Sequence, residues 1–144
     1  ALDLRRFVDW ILFNLYVGNN DSHAKNLSLY AVPNQGVLLT PFYDLMCTRL
    51  YPGLSQEFAF SIGGEFKPGS MTRQHLEALA GQLGMRPQFL LRQAADLAAK
   101  VPAGLHRALE ETHPALSHSA RALASKLAHF IESTTKKTAA RFSR

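Results

Sequence analysis

Apolar residues recur at three- and four-residue spacing from the start of the chain. Leu4, Phe7, Val8, Ile11 and Leu15 share one stripe. Trp10, Leu12, Phe13 and Tyr16 make the other faces apolar too, so the pattern predicts a helix over 2–17 buried on more than one side. Gly18 is its predicted stop, because glycine enters the left-handed conformation at little cost. The pattern then breaks into a polar loop, Gly18-Asn19-Asn20-Asp21-Ser22-His23-Ala24-Lys25-Asn26. Alternation over 27–32, a Pro33-Asn34-Gln35-Gly36 turn and apolar residues over 37–40 predict a β-hairpin. Pro41 to Asp44 follows at once and brings Asp44 back toward the hairpin's base.

Phe58 to Ile62 reads as a short strand ended by Gly63-Gly64. From Ser70 onward the periodicity is helical. Ser70 or Thr72 caps a helix to Gln82, with Gly84 as its stop. Pro87 suits the first turn of the next helix, and Pro102 starts or kinks another. Pro114 and Ser117 open the last, which carries Leu123, Leu127, Phe130 and Ile131. The expected fold class is mainly α with a small β-hairpin, a helical bundle following the polar loop. No repeat or low-complexity tract interrupts it.

Composition narrows the function classes. Hydrophobic residues at 47% and charged residues at 19% describe a globular chain, and 144 residues suit one domain over 1–144. Cys47 is the single cysteine, which excludes an internal disulfide and a cysteine zinc cluster. Phe7 to Val17, the most apolar window, is shorter than a bilayer span and contains Asp9 and Asn14. No membrane association and a reducing cytoplasm are therefore expected. The net charge is +5, and Lys136, Lys137, Arg141 and Arg144 supply four of those charges. The basic character is terminal, and a solvated, frayed C-terminus is the expectation there.

The chemistry concentrates in Asp21, Asn26 and Asp44. Asp21 and Asn26 show the D-x-x-x-x-N spacing of kinase catalytic loops. Phosphoryl transfer from ATP needs a carboxylate to orient and deprotonate the attacking hydroxyl, and oxygen ligands to hold Mg²⁺ against the phosphates. Mg²⁺ takes one or two carboxylates plus phosphates and water. Asp21 then faces the substrate as base, while Asn26 and Asp44 face the metal. Lys25 neutralises phosphate charge or helps to hold Asp21, and His23 contacts the nucleotide or bonds to the loop backbone. The plain alternative for Asp21, Asn26 and Asp44 is turn chemistry. His75, His106, His113, His118 and His129 lack ligand spacing and read as surface or helix-face residues. Gly63-Gly64-Glu65-Phe66 spells part of the diguanylate cyclase signature, but the second adjacent acid that such a site needs is replaced by Phe66.

Two segments together resemble one family. Gly18 to Asn26 is similar to the loop G-x-x-D-x-H-x-K-N-x-S, and Thr40-Pro41-Phe42-Tyr43-Asp44-Leu45 to T-P-F-Y-D-[IL], of the HipA-like serine/threonine kinases, toxins of bacterial toxin–antitoxin modules. The likeness extends over essentially the whole chain. It implies the C-lobe of a protein-kinase-like fold, with Asp21 as catalytic base and Asn26 and Asp44 as Mg²⁺ ligands. It places His23, Lys25 and Tyr43 in segments that line ATP, Tyr43 otherwise being a packing residue. It further implies phosphorylation of a protein serine, in known members on an aminoacyl-tRNA synthetase, with growth arrest and persistence. The implied partner is a HipB-like DNA-binding antitoxin, with DNA reached only through it, in the bacterial cytoplasm. Two departures stand out: Asp44-Leu45-Met46 replaces the D-F-G of eukaryotic-type kinases, and His23 occupies the place of their lysine. No Gly-rich loop precedes Asp21, so the chain reads as a C-terminal piece that lacks the N-lobe and has little activity alone. The rival reading is a catalytically inert module of the same descent that binds an antitoxin or nucleic acid.

Overall fold

The computed structural model describes residues 2–144. Helix α1 spans Leu2–Val17, with Val8, Ile11, Leu12, Leu15 and Tyr16 essentially solvent-free. It stops where the sequence expects, at Gly18 with φ +78°. A Cβ there would lie 2.7 Å from Phe130 Cε1, so the position is also crowded. Strands β1 (Leu29–Val32) and β2 (Gly36–Leu39) form one antiparallel hairpin with Leu29 opposite Leu39 and Val32 opposite Gly36. Asn34 and Gly36 both take positive φ in the turn. The first turn of α1 closes the outer edge of β2: Leu39 N donates to Asp3 Oδ2, and Arg6 donates to the carbonyls of Leu39 and Thr40.

The remaining helices build the bundle. α2 (Arg73–Gln82) packs on α3 (Pro87–Thr112), and α3 packs on both α1 and α4 (His118–Phe142). Their shared core joins Leu76, Ala80, Leu90, Ala94, Val101 and Ile131 to the inner faces of α1. Among the described residues no helix is long and apolar enough to cross a membrane.

The structure corrects the sequence reading at three places. Residues 58–62 are not a strand. Among the described residues an isolated bridge joins Ile62 to Glu65, and no neighbouring strand extends the ladder. Pro102 does not begin a helix. α3 runs continuously through it, since packing on α1 and α4 outweighs the local loss of one backbone donor. The basic C-terminus is not frayed. α4 continues to Phe142, which is buried, and Arg141 donates to the carbonyls of Met71 and Pro68. Burial pulls the Arg141 guanidinium below its ordinary range. His75 does sit on a helix face, and there it has a structural role. Its Nδ1 accepts from Thr72 N, closing the capping box of α2.

Candidate active site

The polar loop leaves α1 under tight backbone control. Gly18 N and Asn19 N both donate to Asn14 O, and the Gly18 carbonyl receives Arg49 N. Asn14 is fully buried within an otherwise apolar helix, and its Oδ1 accepts from Asn19 Nδ2 at 2.8 Å. Asn19 Nδ2 also donates to the Asp44 carbonyl at 3.2 Å, and Asn19 Oδ1 receives Asp21 N at 3.2 Å. One buried amide thus ties α1, the loop and the segment after the hairpin together. Burying such groups is costly unless each finds a partner, and here they find one another.

This bracing brings Asn26 and Asp44 together. A short 3-10 turn, Ala24–Asn26, carries Asn26 inward to 5% exposure. Its Nδ2 donates to Asp44 Oδ2 at 3.0 Å and to the Asp21 carbonyl at 3.2 Å. Two acceptors on the nitrogen fix the amide's orientation and leave Asn26 Oδ1 for another ligand. Asp44 itself holds φ +55°, a conformation that Asp tolerates better than most residues and that recurs at functional sites. Its carboxylate is exposed beside the hairpin's base. An amide oxygen and a carboxylate on facing segments suit Mg²⁺, which needs only one or two protein oxygens beside phosphate and water. Among the described residues no cluster of three or more His, Cys, Asp or Glu exists to hold a metal by protein groups alone.

The other expected residues occupy the surroundings. The Asp21 side chain is 69% exposed, with His23 Nε2 3.6 Å from Oδ1, beyond hydrogen-bond range. His23 Nδ1 is buried without a partner, and the ring lines a cleft of about 620 Å³ with Phe7, Trp10, Leu27 and Phe60. Lys25 is exposed at the edge of the same cleft. Tyr43 is not a core residue. At 44% exposure, its hydroxyl donates to the Lys25 carbonyl at 3.0 Å and shares a 2.8 Å hydrogen bond with Ser28 Oγ. It fastens the end of the loop to the segment that carries Asp44.

Sequence reasoning singled out the candidate groups and missed their supports. Asn14 and Asn19 were legible only as polar residues at the edge of an apolar helix, five positions apart. Thr48 Oγ1 receives Asn20 N at 2.8 Å, and nothing local announces that pairing across 28 residues. Arg49 lies with its guanidinium 5.6 Å from the centre of the Phe130 ring, linking the loop's base to α4. Burial pulls its pKa down and pushes the neighbouring Cys47 thiol up.

Known proteins of one kind are similar to this chain in sequence and fold. The family model described as the HipA-like C-terminal domain matches residues 1–105. A serine/threonine-protein kinase toxin HipA of Shewanella oneidensis is 36% identical over 95 residues, covering 66% of this chain and 22% of the relative. A putative kinase, Y4mE, of Sinorhizobium fredii is 32% identical over 133 residues, covering 92% of this chain and 30% of the relative. The solved complex of Shewanella oneidensis HipA, HipB and operator DNA contains a chain that superposes with a TM-score of 0.71 at 31% identity, over 97% of this chain and 31% of that one. The chain therefore spans less than a third of the length of each of these relatives.

Proposed function

The chain belongs to the HipA-like C-terminal domain family, and from that premise we propose that its polar loop is the base-and-metal half of a serine/threonine kinase site. The observation that carries the proposal is the amide of Asn26, held at once by Asp44 Oδ2 and the Asp21 carbonyl. It ties the two candidate metal ligands to each other and to the backbone of the candidate base. Bound ATP with Mg²⁺ would supply the phosphoryl group and the charge neutralisation that its transfer requires. Asn26 Oδ1 and the Asp44 carboxylate would hold the metal. Asp21, open to solvent and with no hydrogen-bond partner on its carboxylate, would orient the acceptor hydroxyl and take its proton. Lys25 and His23, which line the aromatic cleft, would contact the phosphates and the nucleotide, and Tyr43 would support them from the hairpin base.

Residues 1–144 then act as one C-lobe unit. The only sheet among the described residues is β1–β2, so the strands that cover the nucleotide phosphates in kinases are not among them. The 144-residue chain by itself is accordingly expected to bind Mg²⁺·ATP weakly and to transfer little phosphate. In its full setting the protein would be a toxin that phosphorylates a protein serine, with an aminoacyl-tRNA synthetase as the substrate class, restrained by a HipB-like antitoxin that brings it to DNA. The inert-module reading keeps the antitoxin contact and drops the chemistry. Its nucleic-acid version is weakened by Arg141, whose guanidinium is engaged by backbone carbonyls.

The test is a thermal-shift titration with Mg²⁺ and ATP on the wild-type chain and on Asp44→Asn. Asparagine tolerates the positive φ at this position, so the fold should hold within about 0.5 kcal/mol. The wild type should show a Mg²⁺-dependent shift that the variant lacks. Equal responses of the two proteins would refute the metal assignment, and a complete lack of response in both would favour the inert module.

A further inference from the structure

A cavity of about 320 Å³ lies between α1, α3 and the segment that follows the hairpin. That volume is at the lower end of the range of small-molecule pockets. None of Asp21, Asn26 and Asp44 lines it. Phe13, Phe42 and Leu45 give it an apolar wall. Phe13 and Phe42 are half-buried, and Leu45 is 43% exposed.

Its polar groups are unevenly satisfied. Gln93 is 6% exposed, and its Nε2 donates to the Arg5 carbonyl at 2.9 Å and to Asp9 Oδ1 at 2.7 Å. Both N–H groups are spent, and a flipped amide would set oxygen against two acceptors, so the orientation is fixed. Gln93 Oε1 is left buried without a donor. Because Oε1 is covered, the acceptor that a ligand meets is Asp9 Oδ2. Asp9 is half-buried, Gln93 holds its carboxylate by Oδ1, and Oδ2 accepts no hydrogen bond among the described residues. Asp96 on α3 adds a second carboxylate at the exposed edge. The ion pairs among the described residues involve Asp3, Asp21, Glu77 and Glu132, and neither Asp9 nor Asp96. Arg5 and Lys100 border the cavity four positions from Asp9 and Asp96, yet neither pair closes. A carboxylate held partly out of water and without a counter-ion favours a cationic ligand. Two exposed cations at the rim disfavour a ligand with more than one positive charge.

We propose that this cavity binds a small molecule with one primary ammonium on an apolar body, the ammonium at Asp9 and the body against Phe13, Phe42 and Leu45. An ammonium has donors and no acceptor, which matches a carboxylate oxygen that lacks a donor. The apolar body removes water from the half-buried rings. Gln93 is a positioning residue, since it fixes the Asp9 carboxylate from the facing helix. Free amines and apolar α-amino acids share this chemistry. In an amino acid the carboxylate would lie toward Arg5 or Lys100. The site is independent of the kinase reading, because it uses none of the residues assigned to phosphoryl transfer.

The experiment is a calorimetric titration of the wild-type chain, without Mg²⁺ or ATP, with phenethylammonium and two analogues of similar size, 2-phenylethanol and 3-phenylpropionate. The chain carries a net charge of +5, so long-range attraction alone would favour the carboxylate. The proposal expects the reverse, with phenethylammonium bound about tenfold more tightly than either analogue, the effect of one hydrogen bond to a charged group. Spermidine, with several charges and no apolar body, should bind no better than the alcohol. Asp9→Asn keeps an Oδ1 acceptor for Gln93 and removes the charge. It should therefore abolish the preference at an unchanged melting temperature. Equal binding of ammonium and alcohol, no binding of either, or a preference that survives Asp9→Asn overturns the site. The first two of these outcomes are read on the wild type and hold even where the variant fails to fold. L-Phenylalanine separates the sources: binding as tight as that of phenethylammonium supports an amino acid as the occupant, and weaker binding supports a free amine.

Discussion

Two glycine-led polar turns in this chain look alike in sequence and differ in what they leave free. In Gly18 to Asn26 the amides of Asn14, Asn19 and Asn20 do the bracing, and Asp21, Asn26 Oδ1 and Asp44 keep unused oxygens. In Gly63 to Phe66 the groups are consumed locally. Ile62 and Glu65 pair through their backbones, Glu65 Oε1 accepts Lys67 N, and Phe58 N donates to the Phe66 carbonyl. Its partial likeness to a cyclase signature therefore marks a structural turn. The comparison teaches that a polar turn becomes a candidate site when separate residues support it, so that its reactive groups need not support themselves.

The comparison breaks most visibly at Gly63. A Cβ there would meet His75 O at 2.0 Å, against rigid backbone, at φ +59°. Gly63→Ala should cost about 4 kcal/mol, a size reserved for steric or backbone conflict, and urea denaturation would read it. The expected Mg²⁺·ATP response is unchanged under conditions where the variant stays folded. Next in size is Asn19→Ala. It leaves Asn14 Oδ1 buried without a donor and frees the Asp44 carbonyl, at about 1–3 kcal/mol. Unlike the change at Gly63, it should also weaken Mg²⁺·ATP binding in calorimetry, because it loosens Asp44. An undiminished affinity would mean that the bracing amide does not position the site.

The smallest effect is expected at Glu65. The Lys67 backbone N–H, and to a lesser degree that of Phe66, holds its carboxyl below the ordinary glutamate range. A carboxyl depressed in the fold contributes stability above its unfolded value, and that contribution is lost as pH falls through the lowered one. Glu65→Gln should therefore lower the melting temperature slightly near neutrality, leave the acid end in place and so flatten the acid limb of the profile, with no effect on nucleotide binding.

Much of the fold was legible locally. The bounds of α1, its glycine stop, the hairpin, the cap of α2 at Thr72 and the opening of α4 at Ser117 follow from periodicity and from turn and cap chemistry. Those signals act within a few residues. The candidate residues stood out for a related reason, since the polar loop that holds Asp21 and Asn26 follows an apolar helix and Asp44 is flanked by Tyr43 and Leu45. The continuity of α3 through Pro102 was not legible, because two packed helices decide it rather than the proline. The docking of the C-terminal end was hidden likewise, because Arg141 satisfies carbonyls some 70 residues earlier in the chain.

The sequence by itself determined which groups are present and in what order: a buried helix, a polar loop, a hairpin and a second acid. Only the tertiary structure decided which oxygens remain free. Asn26 Oδ1 is available because Asp44, 18 residues on, takes the other end of its amide, whereas Asn20 Oδ1 is left buried and unpartnered while Ser55 takes its nitrogen. A hydrogen-bonding group has few valences, and which of them stay open depends on partners that local sequence does not name.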